Sequence, residues 1–325
     1  MGRVFISREI PGHAPELLAA AGHDVEQWPH DLPAPPAALT EALARADGAI
    51  TMVVDKVDAA MLAAAPRLRI LANMAVGYDN VDPVVAAQAG VWLTNTPGVL
   101  AETTADFAFA LMLGLARQVS MSEADTRAGG WKTWTPTAFL GTDVHGATLG
   151  IVGMGEIGQA MARRAAGFNM PVLYSSRTRK PELEAKYGYR WSSFGDLLAR
   201  SDFVSIHTPL TPETRHLFGA PEFAQMKREA MLINTSRGGA IDQDALVAAL
   251  RARELGGAAL DVTDPEPLPL GHPLFTLPNV VITPHIASAS LATRSRMAEM
   301  AATNVIAVLE GREPYNPVNR PAHPR

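Results

Sequence analysis

No cysteine occurs in the 325-residue chain, which excludes disulfides, thiolate metal sites and thiol nucleophiles and agrees with a reducing compartment. Lys/Arg blocks are also missing. The 28 basic and 33 acidic residues are dispersed and leave a net charge of −5, so no partnership with nucleic acid or an anionic membrane is expected. The most apolar segment, ADFAFALMLGLA, is too short to span a bilayer and suits a buried helix. The opening MGRVFISREI has no basic segment followed by an apolar run, and Ile6 stands where a myristoylation signal requires Ser or Thr. A cytoplasmic protein is expected. No two of the nine histidines sit at helical ligand spacing, so no metal site is read, and His145, His207 and His216 count as ordinary residues.

What the chain does contain is alternation. Short apolar runs recur between helical patterns, the signature of parallel sheets with crossover helices. In the first hundred residues the expected strands are VFIS (4–7), GAITMVV (48–54), RILANM (69–74) and VWLT (91–94), and APPAALTEALA (34–44) reads as a loop entering a helix. Pro97 and Gly98 mark a boundary before a long helix running to about Arg117. A second series begins at ATLGIVGMGEIG and continues through VLYSS, FVSIHTP, AMLINTS, GGAALDV and NVVITPH. The closing SLATRSRMAEMAATNVIAVLEG is one amphipathic helix, too short to be a domain. It is expected to return to the first domain, so that the second is an insertion with two crossings and a cleft between them. The expected organisation is a substrate domain over 1–98, a dinucleotide-binding domain over 99–286, and a return helix over 287–325 that completes the first.

Gly153, Gly155 and Gly158 form GxGxxG directly after an expected strand and at the opening of a helix. In that context the first glycine permits the tight turn, the second lets backbone approach a pyrophosphate, and the third allows close helix-to-strand packing. The helix N-terminus adds free N–H groups and a positive dipole end. Eighteen residues beyond Gly158, where an acidic residue would accept from the adenosine ribose, the chain reads Ser176, Arg177, Thr178, Arg179, Lys180. A hydroxyl beside an arginine favours a 2′-phosphate, so NADP(H) is the expected cofactor, with NAD(H) as the alternative.

Three later segments end strands with chemistry-bearing residues: INTSRGGAID with Arg237, DVTDPEPLP with Glu266, and ITPHIASAS with His285. Carboxyl ends of parallel strands are where such sheets bind ligands. Arginine, carboxylate and histidine together suit hydride transfer to a 2-oxo acid. Arg237 would hold the carboxylate and polarise the carbonyl, His285 would donate a proton, and Glu266 would orient the imidazole and favour its charged form.

At these segments, and at NMAVGYDNVD (73–82), NTSRGGAIDQDAL and PHIASAS, the chain resembles the D-isomer-specific 2-hydroxyacid dehydrogenases, most closely their glyoxylate/hydroxypyruvate reductases. The resemblance covers nearly the whole chain and implies an α/β fold with two doubly wound parallel-sheet domains, a Rossmann domain inserted into a flavodoxin-like one. It implies catalytic roles for Arg237, Glu266 and His285, and substrate contacts from the backbone of Val76 and Gly77. Cofactor contacts are implied for Thr104, the turn Gly153, Met154, Gly155, Glu156, Ile157 and Gly158, then Ser176, Arg177, Thr178, Pro209, Thr214, Thr235, Ser236, Asp261 and Ala287. Asp261 is read as an acceptor for the nicotinamide carboxamide. GGWKTW (129–134) resembles the reductase subgroup, in which a tryptophan reaches the partner subunit's site; Trp134 is the candidate, in a homodimer. The expected activity is reduction of glyoxylate, hydroxypyruvate or both. The alternatives are dehydrogenation of another small 2-hydroxy acid or of phosphite, or a dinucleotide-sensing corepressor-like binding protein.

Overall fold

A computed structural model describes all 325 residues. The chain divides into two compact units, Met1–Leu100 with Ala289–Arg325, and Ala101–Ser288.

The first unit holds five strands, β1 (Arg3–Ile6), β2 (Asp24–Gln27), β3 (Gly48–Thr51), β4 (Ile70–Asn73) and β5 (Trp92–Thr94), all parallel in the order β2-β1-β3-β4-β5. That order is the doubly wound flavodoxin-like one. β3, β4 and β5 are buried along their whole length, as strands covered by helices on both faces must be. Phe5, Ala49, Leu71 and Leu93 pack with Leu39, Leu43 and Leu62 of helices on one face, and the helix Leu291–Leu309 lies against β3 and β4. The sequence reading missed β2, because DVEQ has one apolar residue. It is an edge strand, held partly by Arg3 donating to Glu26 at 2.6 Å. β3 is also shorter than expected. The Asp55 carboxylate accepts the Met52 N–H at 2.7 Å and turns the chain out of the sheet after Thr51.

The second unit holds β6 (Leu149–Val152), β7 (Val172–Ser175), β8 (Arg190–Trp191), β9 (Phe203–Ile206), β10 (Met231–Asn234), β11 (Gly257–Leu260) and β12 (Val280–Ile282). All are parallel, in the order β12-β11-β10-β9-β6-β7-β8. Side chains alternate between two cores. Ile151, Phe203 and Ile233 join the helix Ala101–Ala116 and the helix Glu156–Ala165 on one face, while Val152, Val204 and Leu232 join the helices Phe194–Arg200 and Gln243–Arg251 on the other. Strand order reverses between β6 and β9, and at such a switch point the carboxyl ends of the strands open a crevice for ligands. Arg237, Glu266, His285 and the turn Gly153–Gly158 lie on loops that leave those ends. No helix is long and apolar enough to cross a membrane.

Candidate active site

Three loops from neighbouring strands carry Arg237, Glu266 and His285. Beyond β10, the Asn234 side chain folds the chain back on itself: its Oδ1 accepts the Ser236 N–H at 3.0 Å and hydroxyl at 2.8 Å, while its Nδ2 donates to the Arg237 carbonyl at 2.8 Å. This fixes the backbone from which Arg237 projects. Beyond β11, the chain runs through Asp261 to Glu266. Beyond β12, Pro284 precedes His285, whose φ of 55° lies in the left-handed region that favours glycine. Such a conformation costs on the order of 1 kcal/mol and persists where surrounding bonds over-determine it.

Asp261 supplies those bonds. It is 2% exposed, its carbonyl accepts the His285 N–H at 2.9 Å, its Oδ1 accepts the Thr283 hydroxyl at 2.6 Å and the Ile286 N–H at 2.9 Å, and its Oδ2 accepts the Ala287 N–H at 2.8 Å. The sequence reading expected cofactor contacts from Asp261 and Ala287, with a turn-forming role as the alternative for Asp261. In the structure they bind each other and frame the histidine turn.

His285 Nδ1 and Glu266 Oε1 are 2.6 Å apart, the length of a charge-assisted hydrogen bond, and the two side chains keep 28% and 33% of their exposure. Burial is the largest influence on the Glu266 carboxyl and pushes it up. The hydrogen bond and charge of His285, the Thr263 N–H and the charge of Arg237 together outweigh burial and hold it below the usual carboxylate range. Glu266 is therefore a carboxylate at neutral pH. By contrast, burial pushes His207 down to about 4; its Nε2 lies 2.9 Å from Ser205 Oγ, and it is neutral at physiological pH.

The glycine turn after β6 has the geometry of a phosphate cradle. Gly153 has φ 99°, and a Cβ there would lie 2.5 Å from the His207 carbonyl oxygen; one on Gly158 would lie 2.1 Å from the Gly153 carbonyl oxygen. A Cβ on Gly155, the N-cap of the helix Glu156–Ala165, would meet nothing within 4 Å. Thr208 and Thr235, just past β9 and β10, each bury a hydroxyl with no partner. Orphaned hydroxyls and an open helix N-terminus at the carboxyl ends of adjacent strands fit a dinucleotide. Other expected contacts have structural duties visible within the chain. The Met154 side chain is in the core, so only its backbone is offered, and Thr214 Oγ1 donates to the Pro209 carbonyl at 2.7 Å. Thr104 is buried in the helix Ala101–Ala116.

After β7 the basic stretch separates into two kinds of arginine. Arg179 donates to both oxygens of Glu184, at 2.7 and 2.6 Å, and Glu184 also accepts from the buried Tyr174 hydroxyl at 2.7 Å. Tyr174 in turn accepts the Lys180 N–H at 2.7 Å. Arg177 is exposed on the same turn, beside Ser176, whose hydroxyl donates to the Thr178 carbonyl.

In the first unit, Val76 and Gly77 follow β4. Asn95 Nδ2 donates to the Val76 carbonyl at 2.8 Å and the buried Asn73 donates to that of Gly77 at 2.9 Å. With the carbonyls so held, the two N–H groups have no acceptor within the chain. Trp134 is 80% exposed, and Trp131 and Leu140 of the same segment are exposed too.

Residues 109–287 match the model of the D-isomer specific 2-hydroxyacid dehydrogenase NAD-binding domain. The chain belongs to the D-isomer specific 2-hydroxyacid dehydrogenase family. It is an oxidoreductase that uses a nicotinamide dinucleotide. It is 48% identical to a glyoxylate reductase of Korarchaeum cryptofilum over 98% of this chain and 96% of that one. A crystal structure of a Thermus thermophilus protein superposes with a TM-score of 0.92 at 50% identity, covering 97% of this dehydrogenase and 99% of that chain. An NADPH-dependent glyoxylate/hydroxypyruvate reductase of Sinorhizobium meliloti, in complex with NADP and malonate, gives 0.86 at 31% identity over 99% and 98%.

Sequence reasoning left out Asn73, Asn95, Gln243 and Glu184, which hold site backbone or tie up an arginine. The asparagines announce themselves only as polar residues at or just past the ends of apolar strands; Gln243 and Glu184 carry no such signal.

Proposed function

We propose that this dehydrogenase reduces glyoxylate and hydroxypyruvate to glycolate and D-glycerate, with NADPH preferred over NADH. The observation that carries the reading is the hydrogen-bonded pair His285–Glu266, with the charge of Arg237 felt at Glu266, on loops leaving adjacent strands. Relatives named as glyoxylate reductases support the substrate class.

Arg237 binds the substrate carboxylate and polarises the keto oxygen. Bound, the reduced nicotinamide supplies hydride to the keto carbon. As the oxygen gains charge, His285 transfers the proton that completes the alcohol, and Glu266 stabilises the imidazolium before that transfer. His285 keeps enough exposure to recover a proton from solvent. The turn Gly153–Gly158 would hold the cofactor's phosphates, Thr235, Ser236, Pro209 and Thr214 would be further contacts, and Arg177 with Ser176 and Thr178 would take a 2′-phosphate. The enzyme is a homodimer. Trp131, Trp134 and Leu140 support this, together with the helix Val119–Arg127, which buries no residue: aromatic and apolar surface of this kind marks an interface.

A steady-state panel of glyoxylate, hydroxypyruvate, pyruvate and phosphite against NADPH, NADH and their oxidised forms tests the reading. Glyoxylate and hydroxypyruvate with NADPH should give the highest kcat/KM. Higher values for pyruvate or for phosphite oxidation, or no turnover at all, would refute it.

A further inference from the structure

Asp264 lies two residues before Glu266, and one side chain takes both of its backbone groups. The Asp264 N–H donates to Gln243 Oε1 at 3.0 Å, and Gln243 Nε2 donates back to the Asp264 carbonyl oxygen. The Gln243 amide thus does for this loop what a neighbouring strand would do, satisfying a donor and an acceptor at a single residue. It is carried on a fixed element. Gln243 begins the helix Gln243–Arg251, and the preceding Asp242 caps that helix by accepting the Ala245 N–H at 3.0 Å.

The backbone that Gln243 grips packs against the residue after Arg237 and leads directly to Glu266. Gly238, directly after Arg237, packs so tightly on it that an added Cβ would come within 2.0 Å of the Thr263 carbonyl carbon and 2.6 Å of the Asp264 nitrogen. Thr263 Oγ1 donates to the Pro265 carbonyl at 2.9 Å, and the Thr263 N–H reaches Glu266 Oε2 at 3.4 Å. Arg215 adds an ion pair to the Asp264 carboxylate at 3.4 Å. Glu266, at the far end of the loop, meets His285 at 2.6 Å.

We propose that Gln243 is a positioning residue for the catalytic pair: by holding both backbone groups of Asp264 it sets the loop from which Glu266 reaches His285. This rests on the assignment of Glu266 as the partner that favours the protonated imidazole. Releasing the grip lets the loop move away from His285, so the proton on the imidazole is held less firmly and reduction fails at lower pH. A role confined to starting the helix would change stability and leave the pH profile where it was.

The test uses Gln243→Met, which is nearly isosteric and deletes both bonds, and Gln243→Glu, which keeps the acceptor for the Asp264 N–H and loses the donor to its carbonyl. Each is made in the full-length enzyme and in a Glu266→Gln background. For glyoxylate reduction, Gln243→Met should lower kcat/KM by about ten- to a hundredfold, the scale expected of a small misplacement of a catalytic group. Its alkaline limb should move to lower pH as that of Glu266→Gln does, with cofactor Kd unchanged, and Gln243→Glu should fall between wild type and Gln243→Met. In the Glu266→Gln background the added effect should nearly vanish, because both changes act on one interaction. Wild-type activity with an unmoved limb in Gln243→Met, or an equal loss in both backgrounds, would overturn the proposal. If Gln243→Met does not fold, the limb of Gln243→Glu decides by the same criteria. An unmoved limb in Glu266→Gln alone overturns the underlying assignment and the proposal with it, and that single variant tells this failure from the other.

Discussion

His285 Nδ1 stands 2.6 Å from Glu266 Oε1, while the His285 backbone is held with φ at 55° by bonds to Asp261. One acid thus sets the ring and another sets the turn that presents it. The two carboxylates divide the labour because each needs a different environment. Glu266 keeps a third of its exposure, where it can respond to charge on the ring, whereas Asp261 is buried and accepts three donors from the loop after β12.

From the first of these bonds a pH prediction follows. The carboxyl of Glu266 is held below its ordinary range, so the group is negative through the neutral region and favours the protonated ring. In the proposed mechanism reduction needs His285 charged, and oxidation of the alcohol needs it neutral. Glu266→Gln removes the charge and keeps the size, so the alkaline limb of glyoxylate reduction should move to lower pH and the acid limb of glycolate oxidation should extend in the same direction. Profiles of kcat/KM in both directions, with a deuteride isotope effect showing that chemistry limits the rate, check this. Limbs that coincide with wild type would remove Glu266 from the proposed role.

Cofactor choice should depend on one arginine. Arg179 is already paired with Glu184, leaving the exposed Arg177 with Ser176 as the set proposed to bind a 2′-phosphate. Arg177→Ala should lower kcat/KM for NADPH with little effect on NADH. Ser176→Asp with Arg177→Ala should reverse the preference, since a carboxylate repels the 2′-phosphate and accepts from ribose hydroxyls. A wild-type enzyme that already prefers NADH would contradict the assignment.

Much of this was legible in sequence because it is local. GxGxxG announces Gly153, Gly155 and Gly158 within six residues, and apolar runs announce the buried strands that make the fold α/β. Arg237, Glu266 and His285 were legible as strand-end residues, although nothing in the sequence gives the 2.6 Å between the last two. What escaped depends on partners separated in sequence or on groups with no motif. Gln243 meets Asp264 across 21 residues, and β2 is an edge strand whose charges look like a loop until Glu26 is seen beside Arg3. The SRTRK run reads as uniformly basic because a sequence does not show that Glu184 folds back onto Arg179.

Trp134 provides a test of assembly. Trp134→Ala should raise KM for hydroxypyruvate and leave cofactor Kd unchanged if the side chain enters a second subunit's site. Mixing Trp134→Ala with His285→Ala subunits then leaves one site in each heterodimer with both native groups. Activity above that of either parent is expected. Verified heterodimers without such complementation would restrict Trp134 to packing.

Acid stability should carry the mark of Glu184. Hydrogen bonds from Arg179 and then Tyr174 hold its carboxyl down at about 2, against an ordinary 4.5. A depressed carboxylate contributes stability that is complete above its unfolded-state value and is lost as pH falls toward the folded-state one. Glu184→Gln should therefore lower the urea midpoint at neutral pH, with the gap from wild type closing between about 4.5 and about 2. A gap that stays constant across that window would mean the ion pair adds nothing beyond its shape, as surface pairs often do.

The buried acid, Asp261, should matter more to stability than the reactive one. Replacing it with alanine strands the Thr283 hydroxyl and the Ile286 and Ala287 N–H groups, each of which it now accepts. An unsatisfied buried group costs about 1–3 kcal/mol, and of these donors the Ala287 N–H is buried and the other two half-buried, so Asp261→Ala should lose about 1–3 kcal/mol and Asp261→Asn, which keeps one acceptor oxygen, less. The same bonds keep His285 in its left-handed conformation, and relaxation of that turn would move the imidazole away from Glu266. Asp261→Asn should therefore lower kcat in glyoxylate reduction even under saturating cofactor, whereas loss of a carboxamide contact alone would appear mainly in cofactor KM. Urea unfolding together with kcat at saturating cofactor separates these effects. Full stability with a change confined to cofactor KM would show that the His285 turn holds its shape without Asp261.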